Sequence, residues 1–115
     1  MGLAEHFKTD VRVRFTREIK RLLAAAEQAF REEMGPLFVL VVTSGYDGVH
    51  GTGSLHPKDR ALDFRTGMSW VPPLMTRESA DRIVTRMRAA LGAEYDLIVE
   101  PDHIHAEYDP KRHAA

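Results

Sequence analysis

A chain of 115 residues with 43% hydrophobic and 29% charged content is long enough for one hydrophobic core and too short for two. A formal net charge of -1 excludes bulk attraction to nucleic acid or to an anionic membrane surface. With no cysteine, disulfides and thiolate metal sites are excluded, and any metal must be held by histidine nitrogen and carboxylate oxygen.

The opening MGLAEHFKTD carries Glu5, Lys8 and Asp10 where a signal peptide needs an unbroken apolar run. The longest apolar stretch, LFVLVV at 37–42, is too short to cross a bilayer. The expectation is a protein made in the cytoplasm, with no stable membrane association. Residues 11–15, VRVRF, alternate apolar and basic side chains as a half-exposed strand does. A helix is predicted over 16–34, capped by Thr16, with Ile19, Leu22, Leu23, Ala26 and Phe30 on one face and Gly35-Pro36 as its stop. LFVLVVT then reads as a strand buried on both faces.

From Ser44 to Pro57 the chain is glycine-rich and without apolar period, the pattern of a long functional loop. RALDFR follows as a short strand, with Leu62 and Phe64 on one face and Ala61, Asp63 and Arg65 on the other. TGMSWVPPLM is irregular because Pro72-Pro73 forbids a ladder. A second helix is predicted over 77–91, capped by Thr76, with Ala80, Ile83, Val84, Met87 and Leu91 as its stripe and Gly92 beyond its end. YDLIVE and HIHAEY close the chain as strands broken at Pro101-Asp102. The order β-α-β-loop-β-α-β-β predicts a single α+β domain spanning 1–115, a small mainly antiparallel sheet with both helices on one side.

Alternation in the last strand puts His103, His105 and Glu107 on one face and the apolar Ile104, Ala106 and Tyr108 on the other. The histidines therefore share the open face with Asp63 if the two strands are neighbours, and His56, at the end of the glycine-rich loop, is in reach. Two imidazoles and a carboxylate, with a fourth position left to water, is the ligand set of a catalytic zinc. Proton transfer then needs a neighbouring group, for which Asp102, His103 and Glu100 are the candidates.

The motifs TSGY, SLHPKDRALDFR and DHIHAEY together resemble the zinc D-Ala-D-Ala carboxypeptidase and peptidoglycan endopeptidase family, peptidase family M15. Ser54, His56, Ala61 and Asp63 fall in register with the family signature, and the likeness covers about residues 37–109. Length and the late DHIH are closest to the small phage-type members; the hedgehog signalling domain shares the zinc site in a larger extracellular setting. The resemblance implies a hedgehog/DD-peptidase-like fold and one Zn2+ per chain held by His56, Asp63 and His105. It makes Asp102 the catalytic carboxylate, and His103 stands where some members have a second site histidine. Its substrate would be a peptidoglycan stem peptide, cleaved by a monomeric enzyme that is released to the cell wall during lysis.

Two departures bear on activity. Asp59 replaces the motif's glycine, and Asp47 stands where many members carry a substrate-holding arginine, for which Arg60 or Arg65 is the replacement. Around the site, Ser54 either contacts substrate or caps a turn, and Tyr46 and Trp70 either wall the cleft or pack in the core. The alternatives are a zinc-bearing domain of the same fold that binds a peptide or protein without catalysis, and a metal-free structural protein.

Overall fold

The computed structural model describes residues 5–7, 13–44 and 60–110. Within them lie five strands and two helices: β1 (Glu5–Phe7), α1 (Arg17–Met34), β2 (Leu40–Ser44), β3 (Ala61–Arg65), α2 (Arg77–Leu91), β4 (Tyr95–Val99) and β5 (His103–Tyr108). The strands form one sheet in the order β1-β2-β3-β5-β4. β2, β3, β5 and β4 pair antiparallel, and β1 adds to the β2 edge in parallel.

Both helices are made by the stripes read from the sequence. In α1 the buried side chains include Ile19, Leu22, Leu23, Ala26 and Phe30, and Thr16 accepts from the Ile19 N–H at 3.1 Å. In α2 the buried set is Ala80, Ile83, Val84, Met87 and Leu91, capped by Thr76 and stopped by Gly92 at a φ of 85°, where a side chain would be strained. Replacing Thr76 with alanine orphans the Ser79 N–H it satisfies. The expected cost is about 1 kcal/mol, read as a lowered thermal midpoint. Arg82 of α2 forks onto Glu33 of α1, its Nε donating to Oε1 at 3.0 Å and its Nη2 to Oε2 at 2.7 Å, which ties the two helices together at the surface.

These stripes pack on one face of the sheet, against Leu40, Val42, Leu62, Phe64, Tyr95, Leu97, Ile104 and Ala106. Phe64 is fully buried, with the Phe30 ring 6.1 Å away. Both helices lie on one side, and among the described residues no helix covers the other face of the sheet.

Two expectations about the first third of the chain are corrected. Val13, Arg14 and Phe15 form no strand; the first strand is Glu5–Phe7 instead. LFVLVVT is not buried on both faces: β2 begins at Leu40, while Leu37 and Val39 stand 93% and 52% exposed ahead of it. The apolar run is continuous, but only its second half reaches the sheet.

Candidate functional site

The open face takes its polar residues from β3 and β5. Antiparallel register sets Asp63 opposite His105, Arg65 opposite His103 and Ala61 opposite Glu107, so these six side chains leave the sheet on one side. Ala61 is the exception to the open character of this face, being 1% exposed beside Glu107. β2 contributes through an irregularity: Val42 faces Phe64 but Ser44 faces Asp63, so Thr43 is an extra residue at this point. Such bulges re-aim side chains beside functional sites. Here Thr43 Oγ1 donates to the Asp63 carbonyl at 3.5 Å and Thr43 joins the cleft wall.

His105 is the centre of the cluster. Its Nδ1 lies 2.7 Å from Asp63 Oδ1 and its Nε2 lies 2.7 Å from Glu107 Oε1. Burial disfavours the charged imidazole, yet the hydrogen bonds to Asp63 and Glu107 and their negative charge outweigh it. The net effect raises the His105 pKa from 6.5 to about 9. Beside it, His103 Nδ1 is 2.9 Å from Asp102 Oδ1, and its Nε2 faces Asp63 Oδ1 at 3.7 Å. Two carboxylate–imidazole pairs thus flank one aspartate.

Alternation would put Asp102 on the face away from His105. The strand begins only at His103, however, and the bend at 101–102 frees Asp102 to turn its carboxylate toward His103. The bend is tied down by the Thr66 N–H, which donates to the Asp102 carbonyl at 3.0 Å, and by the Glu100 N–H, which donates to the His103 carbonyl at 2.8 Å. Asp102 and His103 line a cleft of about 250 Å³ together with Thr43, Arg65 and Trp70. Trp70 is 47% exposed there, with the Arg65 guanidinium over its ring, so it walls the cleft rather than packing in the core. A larger groove of about 490 Å³ runs along β4 past Tyr95, Leu97 and Ile98, but its cation, Arg88, is engaged with the Leu97 carbonyl.

The structure therefore brings together Asp63, His105, His103, Asp102, Arg65 and Trp70. His56, Ser54 and Tyr46 lie outside the described residues, as do Asp47 and Asp59. Glu100 has no side-chain contact with the cluster among the described residues; its backbone closes the turn. Sequence reasoning missed the roles of Glu107 and Thr43. The signal for Glu107 was present, since a carboxylate two residues beyond a strand histidine shares its face. The Thr43 bulge leaves no trace in residue type.

Asp63 and His105 are of the donor types that zinc takes, and among the described residues they stand as a pair, with no third ligand atom close to both. Zinc bonds of 2.0–2.2 Å at a tetrahedral angle separate two donor atoms by about 3.4 Å. Asp63 Oδ1 and His105 Nδ1 stand at 2.7 Å, so a small parting makes room. Glu107 on the far ring nitrogen is the orienting carboxylate that a metal-bound histidine ordinarily has. Among the described residues, Asp96, Glu107 and Asp109 form a group whose oxygens come within 4.8 Å of one another, with no further feature pointing to a ligand. His103 does not form such a close group with Asp63 and His105, which separates it from the donor pair.

No family model matches the sequence, and neither a curated protein nor a solved structure matches the chain.

Proposed function

We propose that this protein is a zinc-dependent hydrolase of amide bonds in peptidoglycan stem peptides, of the hedgehog/DD-peptidase-like kind. The observation that carries the reading is the Asp63–His105 pair, two metal-type donors in register on the helix-free face, with Glu107 behind the histidine. His56 would complete the ligand set. Zinc, when bound, lowers the pKa of a water toward ~7 and polarises the scissile carbonyl.

The rest falls to the chain's own residues. His103 carries the proton, because its Nε2 is the ring atom that faces the donor pair, at 3.7 Å from Asp63. Asp102 acts through it as a positioning residue, holding Nδ1 and thereby the tautomer. In the overall change water's hydroxyl goes to the acyl carbon and its proton to the departing amine, so one group must both take and give a proton. The two ring nitrogens of an imidazole suit it to accept and return a proton.

Metal content tests the proposal. Untagged wild-type protein should carry about one zinc per chain, and His105→Ala and Asp63→Ala next to none. Zinc in neither wild type nor mutant after incubation with the ion would refute it.

The second reading, a zinc-bearing domain that binds without catalysis, is favoured by Asp47 in place of the family's arginine. It predicts full zinc occupancy with no release of amino groups from cell-wall peptides.

A further inference from the structure

β4 is the last strand in the order β1-β2-β3-β5-β4, and among the described residues no strand pairs with its outer side. Which backbone groups face outward follows from the bonds at its two ends. The Asp109 N–H donates to the Glu94 carbonyl and the Glu100 N–H to the His103 carbonyl, so Glu94, Asp96, Ile98 and Glu100 turn their backbone toward β5. Tyr95, Leu97 and Val99 therefore turn their N–H and C=O groups away from the sheet. The Arg88 side chain agrees with this direction, since its Nη2 reaches the Leu97 carbonyl from outside at 3.2 Å.

α2 runs beside this edge. Two hollows lie between them, one of about 490 Å³ toward Gly92 and Ala93 and one of about 420 Å³ toward Arg77 and Asp81, and they share Arg88, Leu97 and Ile98. Val84 and Leu97 give the second hollow an apolar lining, and Ile98 is half exposed at its rim. A row of outward donors and acceptors at strand spacing is matched by another extended backbone, whereas an apolar small molecule leaves those groups unpaired.

Charge decides which strand fits. Arg77 is bound to Asp81 at 2.9 Å, but the described partner of Arg88 is a neutral carbonyl. A second copy of this chain fits badly in each antiparallel register. With the two-fold axis at Leu97, two Arg88 guanidiniums meet; with the axis at Asp96, two carboxylates stand opposite each other; with the axis at Ile98, Asp96 faces Glu100. A foreign strand with an acidic residue meets no such conflict. Its carboxylate draws Arg88 off the Leu97 carbonyl, exchanging a bond to a neutral acceptor for a charge-assisted one, and that carbonyl is then free to accept from the incoming backbone.

We propose that the outer edge of β4, with α2 beside it, docks an extended segment of another protein as a further strand of the sheet, the segment carrying a carboxylate between alternate apolar residues. The site lies beyond β5 from Asp63 and does not depend on the hydrolase reading.

The probe is a fluorescein-labelled peptide amide, Thr-Val-Thr-Glu-Thr-Val-Thr, whose valines and glutamate share one face when extended. Its anisotropy, titrated with the full chain, should rise to saturation below about 1 mM. Glutamine in place of the glutamate should weaken binding about 5-fold in wild type and make no difference in Arg88→Gln. N-methylation of one alternate set of the peptide's amides should abolish binding, and of the other set should be tolerated, because only one set faces β4. Val99→Pro should also abolish it, since it removes an outward N–H and leaves the ladder to β5 in place.

No saturation by about 1 mM, tolerance of methylation in both sets, unchanged binding to Val99→Pro, or a glutamate preference that survives in Arg88→Gln would overturn the proposal. So would a wild-type protein that sediments as a dimer and becomes a monomer on Val99→Pro, since a second copy would then be the occupant of this edge. Should Val99→Pro fail to fold, the two methylated peptides decide.

Discussion

Under the proposed hydrolase function, replacing His103 with glutamine is expected to lower kcat/KM on stem peptides by about 10²–10⁴-fold, with zinc content and melting temperature unchanged. The expectation follows from the direction of the ring. Nδ1 is held by Asp102 at 2.9 Å, and Nε2 faces the Asp63–His105 pair. Asp102→Ala should lose turnover by a similar route, through a ring that no longer keeps its tautomer, and the double variant should be little worse than either single one because the two act as a unit. Asp102→Asn keeps the shape but offers an amide in place of a carboxylate, so it should lose turnover as Asp102→Ala does if the carboxylate is what fixes the tautomer. Each rival assignment predicts another pattern. If Asp102 itself carried the proton, His103→Gln would keep most of the turnover. If His103 were a ligand, zinc would fall with it. Assaying the three variants for zinc, melting and hydrolysis separates these cases.

The extent to which such a site is readable from sequence depends on how local its cause is. Both helices were legible because their stripes, caps and stops sit in one stretch of chain; α2 spans the predicted 77–91 and buries the predicted five residues. The face shared by Asp63, His103 and His105 was legible for the same reason, since alternation in a strand is a local property. Pairing is not local. β1 is a three-residue strand held by non-local contacts, the edge of β2 some thirty-five positions away in sequence and the packing of Phe7 against the core. The alternation of VRVRF looks more like a strand than EHF does, yet Arg14 and Phe15 remain exposed and join no ladder. The same limit applied at the site. Asp102 could not be oriented from spacing, because its direction is set by a bend that backbone bonds to Thr66 and His103 hold. The choice for Trp70 between core and cleft turned on Gly67, whose missing side chain lets the indole fold back to Arg65.

The metal-free protein should lose about 3 kcal/mol of stability between about pH 6 and about pH 9.5, and zinc bound at His105 should remove that loss. His105 lies between two carboxylates, and its pKa is raised from 6.5 to about 9. Because the folded-state value is the higher one, the stabilisation is fully present below about pH 6.5 and is lost as pH rises through about 9. Urea midpoints of chelator-treated protein across this window should show the loss, and His105→Gln should be flat over the same range. Asp63 and His105 would hold the proposed zinc at the expense of the proton they share, so its binding would release a proton and its stabilisation would grow as pH rises. The gap between zinc-loaded and metal-free melting temperatures should therefore widen from about pH 6 to about pH 9. A metal-free curve without slope in this window would mean that the imidazole is not held protonated between Asp63 and Glu107. A gap that stops widening above about pH 7.5 would mean that zinc does not displace the proton of raised pKa on His105, since an ordinary imidazole is already neutral there.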